Sequence, residues 1–129
     1  MLEYSPDMRV MERDFHGVVR IREREFEGTD YPAMLHGSIN QGGQLLGGKY
    51  KNTPSDYFGP TSGDGRMFAA LSKISSAPRK VGVIGLGAGV VAAYGRRDDE
   101  FVCYEISPRV IEIEKRKFSS CATPRRAPR

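Results

Sequence analysis

The chain has 129 residues, of which 39% are hydrophobic and 28% charged, and its formal net charge is +4. This length allows one domain with a modest core, the composition is typical of an ordinary soluble globular protein, and no apolar run approaches the roughly 20 residues that a membrane span requires. The N-terminus lacks the apolar segment of a signal peptide, so the sequence predicts a cytoplasmic location and no membrane partner.

The positive charge is concentrated at the C-terminal end. Residues 1–114 contain 14 Lys or Arg and 16 Asp or Glu, whereas residues 115–129 contain six basic residues and no acid. A solvated terminal segment accounts for this pattern, and we expect no specific nucleic-acid partner. No Cys/His cluster has the spacing of metal ligands, which predicts no metal. Cys103 and Cys121 are expected to be reduced thiols.

The N-terminal part predicts a small β-domain. Residues 1–14 show no clear period and are interpreted as a lead-in. In the following segment Val19 and Ile21 alternate with charged residues, which is typical of an antiparallel sheet open to water on one face. Residues 33–39 predict a further strand, and the β-domain is assigned to residues 15–56. Glycine and polar residues predict turns at 27–30 and 40–43.

The second part, residues 57–118, is assigned to the start of a Rossmann-like nucleoside-binding domain. Ser62 or Asp64 can cap a helix. In that helix an apolar stripe is predicted at positions i, i+4 and i+7, formed by Met67, Leu71 and Ile74. Residues 119–129 are predicted to be a disordered basic tail.

The stretch 80–105 carries the functional signal. It predicts a buried parallel strand, a glycine turn, a helix from residue 90 to 94, and a second strand at 101–104. Gly85, Gly87 and Gly89 allow the backbone to turn sharply and to approach a ligand. Glu105 lies twenty residues after Gly85, the offset at which nucleoside-binding units place the carboxylate that binds the ribose.

The glycine spacing discriminates between cofactors. A dinucleotide fingerprint requires glycine at position 90, where this chain has Val90. The tighter spacing suits an adenosyl nucleoside of the S-adenosylmethionine type, which has no diphosphate to place on a helix N-terminus. Two alternatives stay open: an NAD-type site, and a βαβ unit whose glycines only allow close helix–strand packing.

The segment after Glu105 predicts a helix over residues 108–117. Ser107 is a preferred N-cap, and Pro108 suits the first helical position. The fold class is therefore α/β, with a small antiparallel sheet followed by an incomplete Rossmann-like fold. A doubly wound sheet needs about five parallel strands, and two are visible, so we expect this chain to be a C-terminally truncated fragment.

Four blocks of sequence occur in the order DFHGVVRIRERE, MLHGSINQGGQ, YFGPTSGDG and VGVIGLGAGVVAAYGRRDDEFVCYEISPRVIEI. Together they resemble the polyamine aminopropyltransferase (spermidine synthase) family, in particular its divergent spermidine synthase-like branch. The resemblance covers about residues 14–118. It implies that Gln44 contacts the nucleoside substrate, that Tyr57 lies at the polyamine side, that the three glycines form the nucleoside loop, and that Glu105 binds the ribose.

The resemblance implies transfer of an aminopropyl group from decarboxylated S-adenosylmethionine to a polyamine, without a metal. Three departures weaken the transfer of that activity to this chain. Ala88 replaces the aspartate of the family's loop, Phe58 replaces a histidine, and the segment with the catalytic aspartate is missing. We therefore assign no catalytic residue, leave open whether the chain is an enzyme, and expect it to be inactive. The alternatives are a fragment of an S-adenosylmethionine-dependent methyltransferase and a non-catalytic binding or assembly module. By analogy, the chain would form a homo-oligomer.

Overall fold

The computed structural model describes residues 8–118, in which a mixed α/β fold is formed. The strands are β1 Met8–Asp14, β2 Gly17–Arg22, β3 Glu25–Phe26, β4 Thr29–Asp30, β5 Ala33–His36, β6 Ile39–Gly43, β7 Lys80–Ile84 and β8 Glu100–Tyr104. The α-helices are α1 Gly63–Ile74 and α2 Pro108–Lys117, and short 3-10 helices span Asp56–Phe58 and Val90–Tyr94.

The N-terminal strands form a four-stranded antiparallel sheet in the order β1-β2-β5-β6, which confirms the predicted antiparallel sheet. Its register places Ile21 opposite Met34 and Val19 opposite His36. Val19, Ile21 and Met34 are fully buried. Alternation along β2 therefore places the apolar residues on the inner face and the arginines on the outer face, as the period of two requires.

The interpretation of residues 1–14 as a lead-in is wrong for Met8–Asp14, which pairs along its length with β2. Its burial alternates residue by residue, and its exposed positions include Arg9, Met11 and Arg13. Met11 on the outer face and the charged Glu12 and Asp14 on the inner face obscured this alternation in the sequence. Residues 1–7 lie outside the part of the chain that the structure describes.

The predicted turn at 40–43 is also wrong, because these residues belong to β6. The chain reverses two residues earlier, at Gly37 and Ser38, and Gly37 has a φ of 60°. The predicted strand over 33–39 is accordingly divided into β5 and the start of β6. Two consecutive glycines in β6 gave a false turn signal, since glycine also occurs in strands where another segment approaches closely.

Helix α1 begins as predicted and buries a different face. The Ser62 hydroxyl accepts a hydrogen bond from the Gly65 amide, which confirms this residue as the N-cap. The predicted apolar stripe is wrong: its members are exposed, Ile74 by 80%. Phe68 is the buried side chain instead, and its ring stacks on those of Tyr94 and Phe101 at centroid distances of 5.0 and 6.0 Å. An aromatic cluster, rather than an aliphatic stripe, thus fixes the helix.

Strands β7 and β8 pair in parallel from Lys80 opposite Glu100 to Ile84 opposite Tyr104. This confirms the two predicted strands and their relative direction. The predicted burial of the first strand is wrong, because β7 contains no buried residue and Ile84 is 95% exposed. The predicted helix between them is a 3-10 helix of five residues. A crossover this short fits because Arg79 and Arg96 both donate hydrogen bonds to Asp99, which closes the connection just before β8.

The main core lies between the N-terminal sheet and α2. Val110, Ile113 and Phe118 belong to the same buried cluster as Ile21 and Met34. An ion pair of 2.6 Å between Arg116 and Glu12 lies at the edge of this contact. In a doubly wound fold the helix after β8 packs on the parallel sheet. Here α2 contributes to the core of the antiparallel sheet, while Ile84 and Tyr104 on the outer face of β7–β8 are exposed.

Two further sequence predictions concern cysteines and the C-terminal segment. Cys103 is disulfide-bonded, so the expectation of a reduced thiol at this position is wrong. Half-burial on a strand does not by itself determine the redox state of a cysteine. The predicted disordered tail, residues 119–129, lies outside the described part of the chain. Within residues 8–118, no helix is both long and apolar enough to cross a bilayer.

Candidate functional site

The loop of residues 85–89, which we call the glycine loop, leaves the end of β7 through three left-handed turns of the backbone. The φ angles of Gly85, Gly87 and Gly89 are 88°, 53° and 71°, a region that side chains with a Cβ rarely adopt. A Cβ at Gly87 would lie 2.8 Å from the carbonyl oxygen of Gln41, whereas one at Gly85 would meet nothing within 4 Å. The loop is therefore packed on one side and open at its first glycine.

Glu105 lies against the glycine loop from the end of β8. Its Oε2 accepts a hydrogen bond of 2.9 Å from the Leu86 amide, and its Oε1 accepts one of 2.9 Å from the Ser107 amide. A carboxylate offers about four acceptor positions. Each oxygen can therefore accept one more hydrogen bond, and the half-buried Glu105 can still contact two hydroxyls of a ligand.

The residues at the start of α2 hold the Glu105 carboxylate in position. The buried Ser107 caps the helix by accepting a hydrogen bond from the Val110 amide at 3.3 Å, as the sequence predicts. Its hydroxyl donates to Asp14 in β1 over 2.5 Å. This hydrogen bond is the largest cause of a pKa below the usual value for Asp14. The N-terminal sheet thus holds the segment that positions Glu105.

The back of the glycine loop packs on β6. The Ala88 amide donates a hydrogen bond of 3.2 Å to the Gln41 carbonyl, and the Ala88 side chain is fully buried. Gly42 gives the space for this contact, since a Cβ on it would lie 2.8 Å from a methyl group of Val90 and 3.7 Å from Cβ of Ala88. Position 88 thus faces the protein interior, and an aspartate there would be buried without water.

Gln44, predicted to contact the nucleoside, is 4% exposed. Its backbone N–H donates a hydrogen bond of 3.2 Å to the Pro32 carbonyl, which extends the pairing of β5 and β6 by one residue. The described contacts of β6 with the glycine loop come from Gln41 and Gly42. The assignment of Gln44 to the nucleoside stays a prediction.

Tyr57, predicted at the polyamine side, lies in the 3-10 helix Asp56–Phe58 and is 54% exposed. Its hydroxyl donates a hydrogen bond of 3.0 Å to the Asn40 carbonyl, one residue before Gln41 in β6. Partial burial, followed by the charges of Asp56 and Asp64, raises the pKa of Tyr57 above its usual value. The Tyr57 hydroxyl and the glycine loop thus both contact β6, and the Tyr57 ring remains accessible to water.

Gln41 contacts the glycine loop, and the sequence analysis did not predict this contact. It lay inside the segment predicted as a turn, where an amide side chain carries no special signal. The available signal was the pair of glycines that follows it, since glycine in a strand often marks the close approach of another backbone. Once β6 is recognised as a strand, that approach predicts a loop contact at Gln41.

The described residues contain no group of three or more His, Cys, Asp or Glu side chains that could hold a metal ion. At the glycine loop, backbone amides and the Glu105 carboxylate are available to a ligand. In comparisons of the chain with models of protein families, with curated proteins and with solved structures, nothing matches.

Proposed function

We propose that this chain is a spermidine synthase-like protein that binds an adenosyl nucleoside, such as decarboxylated S-adenosylmethionine, at the glycine loop. In this proposal Glu105 binds the ribose hydroxyls and Gly85, Gly87 and Gly89 accommodate the sugar. The fold would then be the first part of a Rossmann-like nucleoside-binding domain. These residues bind a nucleoside without catalysing a transfer.

One observation carries the proposal: the Glu105 carboxylate is hydrogen-bonded to the amide of Leu86 inside the glycine loop. The contact brings the acid and the loop together at the carboxyl ends of two parallel strands, where α/β proteins place their ligands. A ribose lying on the open side of Gly85 would have the two unused acceptor positions of Glu105 within reach.

The connection after the glycine loop favours a nucleoside without a diphosphate. Dinucleotide sites place the diphosphate at the N-terminus of an α-helix, where several amides are free. Here the loop leads into a 3-10 helix of five residues, and Val90 at its start is 4% exposed. This segment offers neither the long helix nor the third glycine of a dinucleotide site.

Tyr57 supports a cationic amine as the second ligand. Its exposed ring lies where Asp56 and Asp64 both act on its hydroxyl, and two carboxylates suit the binding of an ammonium group. By the resemblance, this is the side of the site at which a polyamine is held. We assign Tyr57 to polyamine contact, and the buried Gln44 keeps the nucleoside contact that the resemblance implies.

A methyltransferase-type nucleoside site is the second candidate, and Ala88 is the observation that favours it. The buried methyl group at this position offers no charge to the amino end of decarboxylated S-adenosylmethionine. A site without that carboxylate need not prefer the decarboxylated nucleoside to S-adenosylmethionine. The relative affinities of these two ligands separate the candidates.

Isothermal titration calorimetry with decarboxylated S-adenosylmethionine, S-adenosylmethionine and NAD tests the proposal. We expect binding of the adenosyl nucleosides, weakened by about 1–3 kcal/mol in Glu105→Gln. Glu100→Gln, at the other end of β8 and on the surface, serves as the matched control and should bind like the wild type. Binding of NAD without binding of either adenosyl nucleoside would contradict the assignment. An unchanged nucleoside affinity in Glu105→Gln would also contradict it.

The inactivity of the chain is tested separately. We expect no transfer of an aminopropyl group from decarboxylated S-adenosylmethionine to putrescine by the 129-residue protein, measured by chromatography of the amine products. Spermidine formation above that of a no-protein control would show that residues in this chain supply the base.

A further inference from the structure

The outer face of β7 and β8 is apolar and open to solvent. Helix α1 covers the inner face, where the Phe68 ring stacks on Phe101, and α2 packs on the N-terminal sheet instead. On the outer face Ile84 is 95% exposed, Tyr104 62% and Val102 42%. Single exposed apolar side chains are common on protein surfaces, but three neighbouring ones on paired strands mark an interaction surface.

Three pairs of residues form this face, because residues two apart on a strand point to the same side of a sheet. The register pairs Lys80 with Glu100, Gly82 with Val102, and Ile84 with Tyr104. At one end, Nζ of Lys80 lies 3.9 Å from Oε2 of Glu100. At the centre, a Cβ on Gly82 would lie 3.9 Å from the Tyr104 ring. The face thus has one charge of each sign at one end, a glycine at its centre, and large apolar side chains at the other end.

We infer that a second copy of this chain covers this face, related to the first by a two-fold axis parallel to the strands. Such an axis places β7 of one copy over β8 of the other, with residues of the same pair at the same height. Lys80 then faces Glu100 of the second copy, and by symmetry Glu100 faces its Lys80. The inference does not depend on the proposed function.

The apolar residues fit the same arrangement. Gly82 has no side chain, so it leaves room for Val102 of the second copy. Ile84, which is almost fully exposed in the single chain, packs on the Tyr104 ring of the second copy. Each residue of β7 therefore meets a residue of opposite charge or of complementary size, as an interface between identical surfaces requires.

The charges at the end of the face select this axis. A two-fold axis running across the strands would instead place Lys80 over Ile84 of the second copy. The ammonium group would then lose water to an apolar side chain without gaining an acidic partner, which is unfavourable. With the axis parallel to the strands, both charged pairs stay at the solvated rim, where they determine orientation more than affinity.

The C-terminal segment of the chain is a poor cover for this face. Among residues 119–129 the hydrophobic residues are one cysteine and two alanines, and three arginines accompany them. This composition offers no large apolar side chain to pack on Ile84 or Tyr104. A second copy, by contrast, supplies the same apolar residues that the first copy exposes.

Sedimentation velocity of the full chain over about 1–300 µM tests the inference. We expect a dimer with a dissociation constant of about 1–100 µM, because the face is smaller than a standard interface. Ile84→Lys should weaken association about thirty-fold or more, since it places an ammonium group among apolar side chains. Ile74→Lys, at a position of α1 that is 80% exposed, is the matched control and should dimerise like the wild type. Circular dichroism checks that both variants fold.

A charge exchange tests the orientation of the two copies. Lys80→Glu places four carboxylates at the rim of the dimer, and we expect association to weaken about five-fold. The double variant Lys80→Glu/Glu100→Lys restores one charge of each sign and should recover the wild-type dissociation constant. With the axis across the strands, the two positions would not meet, and the single variant would not be rescued by the second change.

The contradicting outcomes are distinct. A wild-type chain that stays monomeric up to 300 µM, or an Ile84→Lys variant that dimerises like the wild type, would overturn the inference. A dimer that persists on a non-reducing denaturing gel and is lost on a reducing one would overturn it as well, because its cause would be an intermolecular disulfide. A weakened Lys80→Glu variant that Glu100→Lys does not rescue would overturn the proposed axis.

Discussion

The amide of Leu86 donates a hydrogen bond of 2.9 Å to Glu105, which ties the glycine loop to the end of β8. The second oxygen of the same carboxylate accepts from the Ser107 amide at the start of α2. Glu105 thus joins a loop, a strand end and a helix start. The residue that we propose as the ribose ligand also forms structural contacts within the chain.

This double role predicts a stability effect that does not depend on a ligand. Glu105→Ala removes the acceptor from two amides, and we expect the free energy of unfolding to fall by about 1–2 kcal/mol. Glu105→Gln keeps one acceptor oxygen and should lose about half as much. Urea unfolding followed by circular dichroism measures both, with Glu100→Ala on the surface as the control. Equal stability of the wild type and Glu105→Ala would show that the contact is not stabilising.

Gly87 should not tolerate a side chain. Its φ of 53° already disfavours alanine, and the added Cβ would lie 2.8 Å from the carbonyl oxygen of Gln41, so that the loop must move. We expect Gly87→Ala to destabilise the protein by about 1–3 kcal/mol and to abolish nucleoside binding. Gly63→Ala, at the start of α1 with free space for a Cβ, should unfold at the wild-type temperature or slightly above it. Wild-type melting temperature and affinity in Gly87→Ala would refute the packed arrangement of the loop.

Phe68 should dominate the stability of α1. Its ring is 3% exposed and stacks on Tyr94 and Phe101, so truncation leaves a cavity in an aromatic cluster. We expect Phe68→Ala to lower the free energy of unfolding by about 3–4 kcal/mol. Ile74→Ala, at a position 80% exposed, should cost less than about 0.5 kcal/mol. Chemical denaturation of the two variants decides between the observed face and the stripe that the sequence predicted, which requires the reverse order.

Asp99 should give the protein part of its sensitivity to acid. Burial alone would raise the pKa of Asp99, but hydrogen bonds from Arg79 and Arg96 outweigh burial and hold this pKa well below its usual value. Because the unfolded chain binds this proton at higher pH than the folded chain, the stabilisation is present above about pH 5 and is lost as the pH falls below about 4.

Asp99→Asn tests this role. The variant should be less stable than the wild type at pH 7, and its stability should depend less on pH between about pH 5 and 2, as followed by urea unfolding at each pH. Asp98→Asn, the exposed neighbour, should reproduce the wild-type pH profile. Parallel profiles for Asp99→Asn and the wild type would show that Asp99 titrates alike in the folded and unfolded states.

The elements with strong local signals could be predicted from sequence. Ser62 and Ser107 cap their helices as expected, because a serine N-cap bonds an amide two or three residues along and needs no distant partner. Strand β1 and the buried face of α1 could not be predicted. Which of their side chains are buried depends on contacts with distant parts of the chain. For β1 the contact is its pairing with β2, and for Phe68 it is the stacking on the rings of Tyr94 and Phe101.

The contacts of the candidate site, too, could be predicted from the sequence only in part. The three glycines and Glu105 are close in sequence, and the structure brings Glu105 against the loop through the Leu86 amide. Their binding of a nucleoside stays a prediction. Gln44 was assigned from a resemblance and is buried, whereas Gln41, three residues earlier, lies at the loop. Gln41 and Gly42 contact the loop because β6 runs beside it, and this arrangement was hidden while residues 40–43 were interpreted as a turn.

The contact of α2 with the N-terminal sheet also determines when the protein can fold. The hydrogen bonds that join Ser107 to Asp14 and Arg116 to Glu12 connect residues 93 and 104 positions apart. At a synthesis rate of about 5–20 residues per second, α2 is completed roughly 4–15 s after β6. During that interval the inner face of the sheet lacks the cover that α2 provides, so we expect the nascent chain to expose apolar surface until α2 is made.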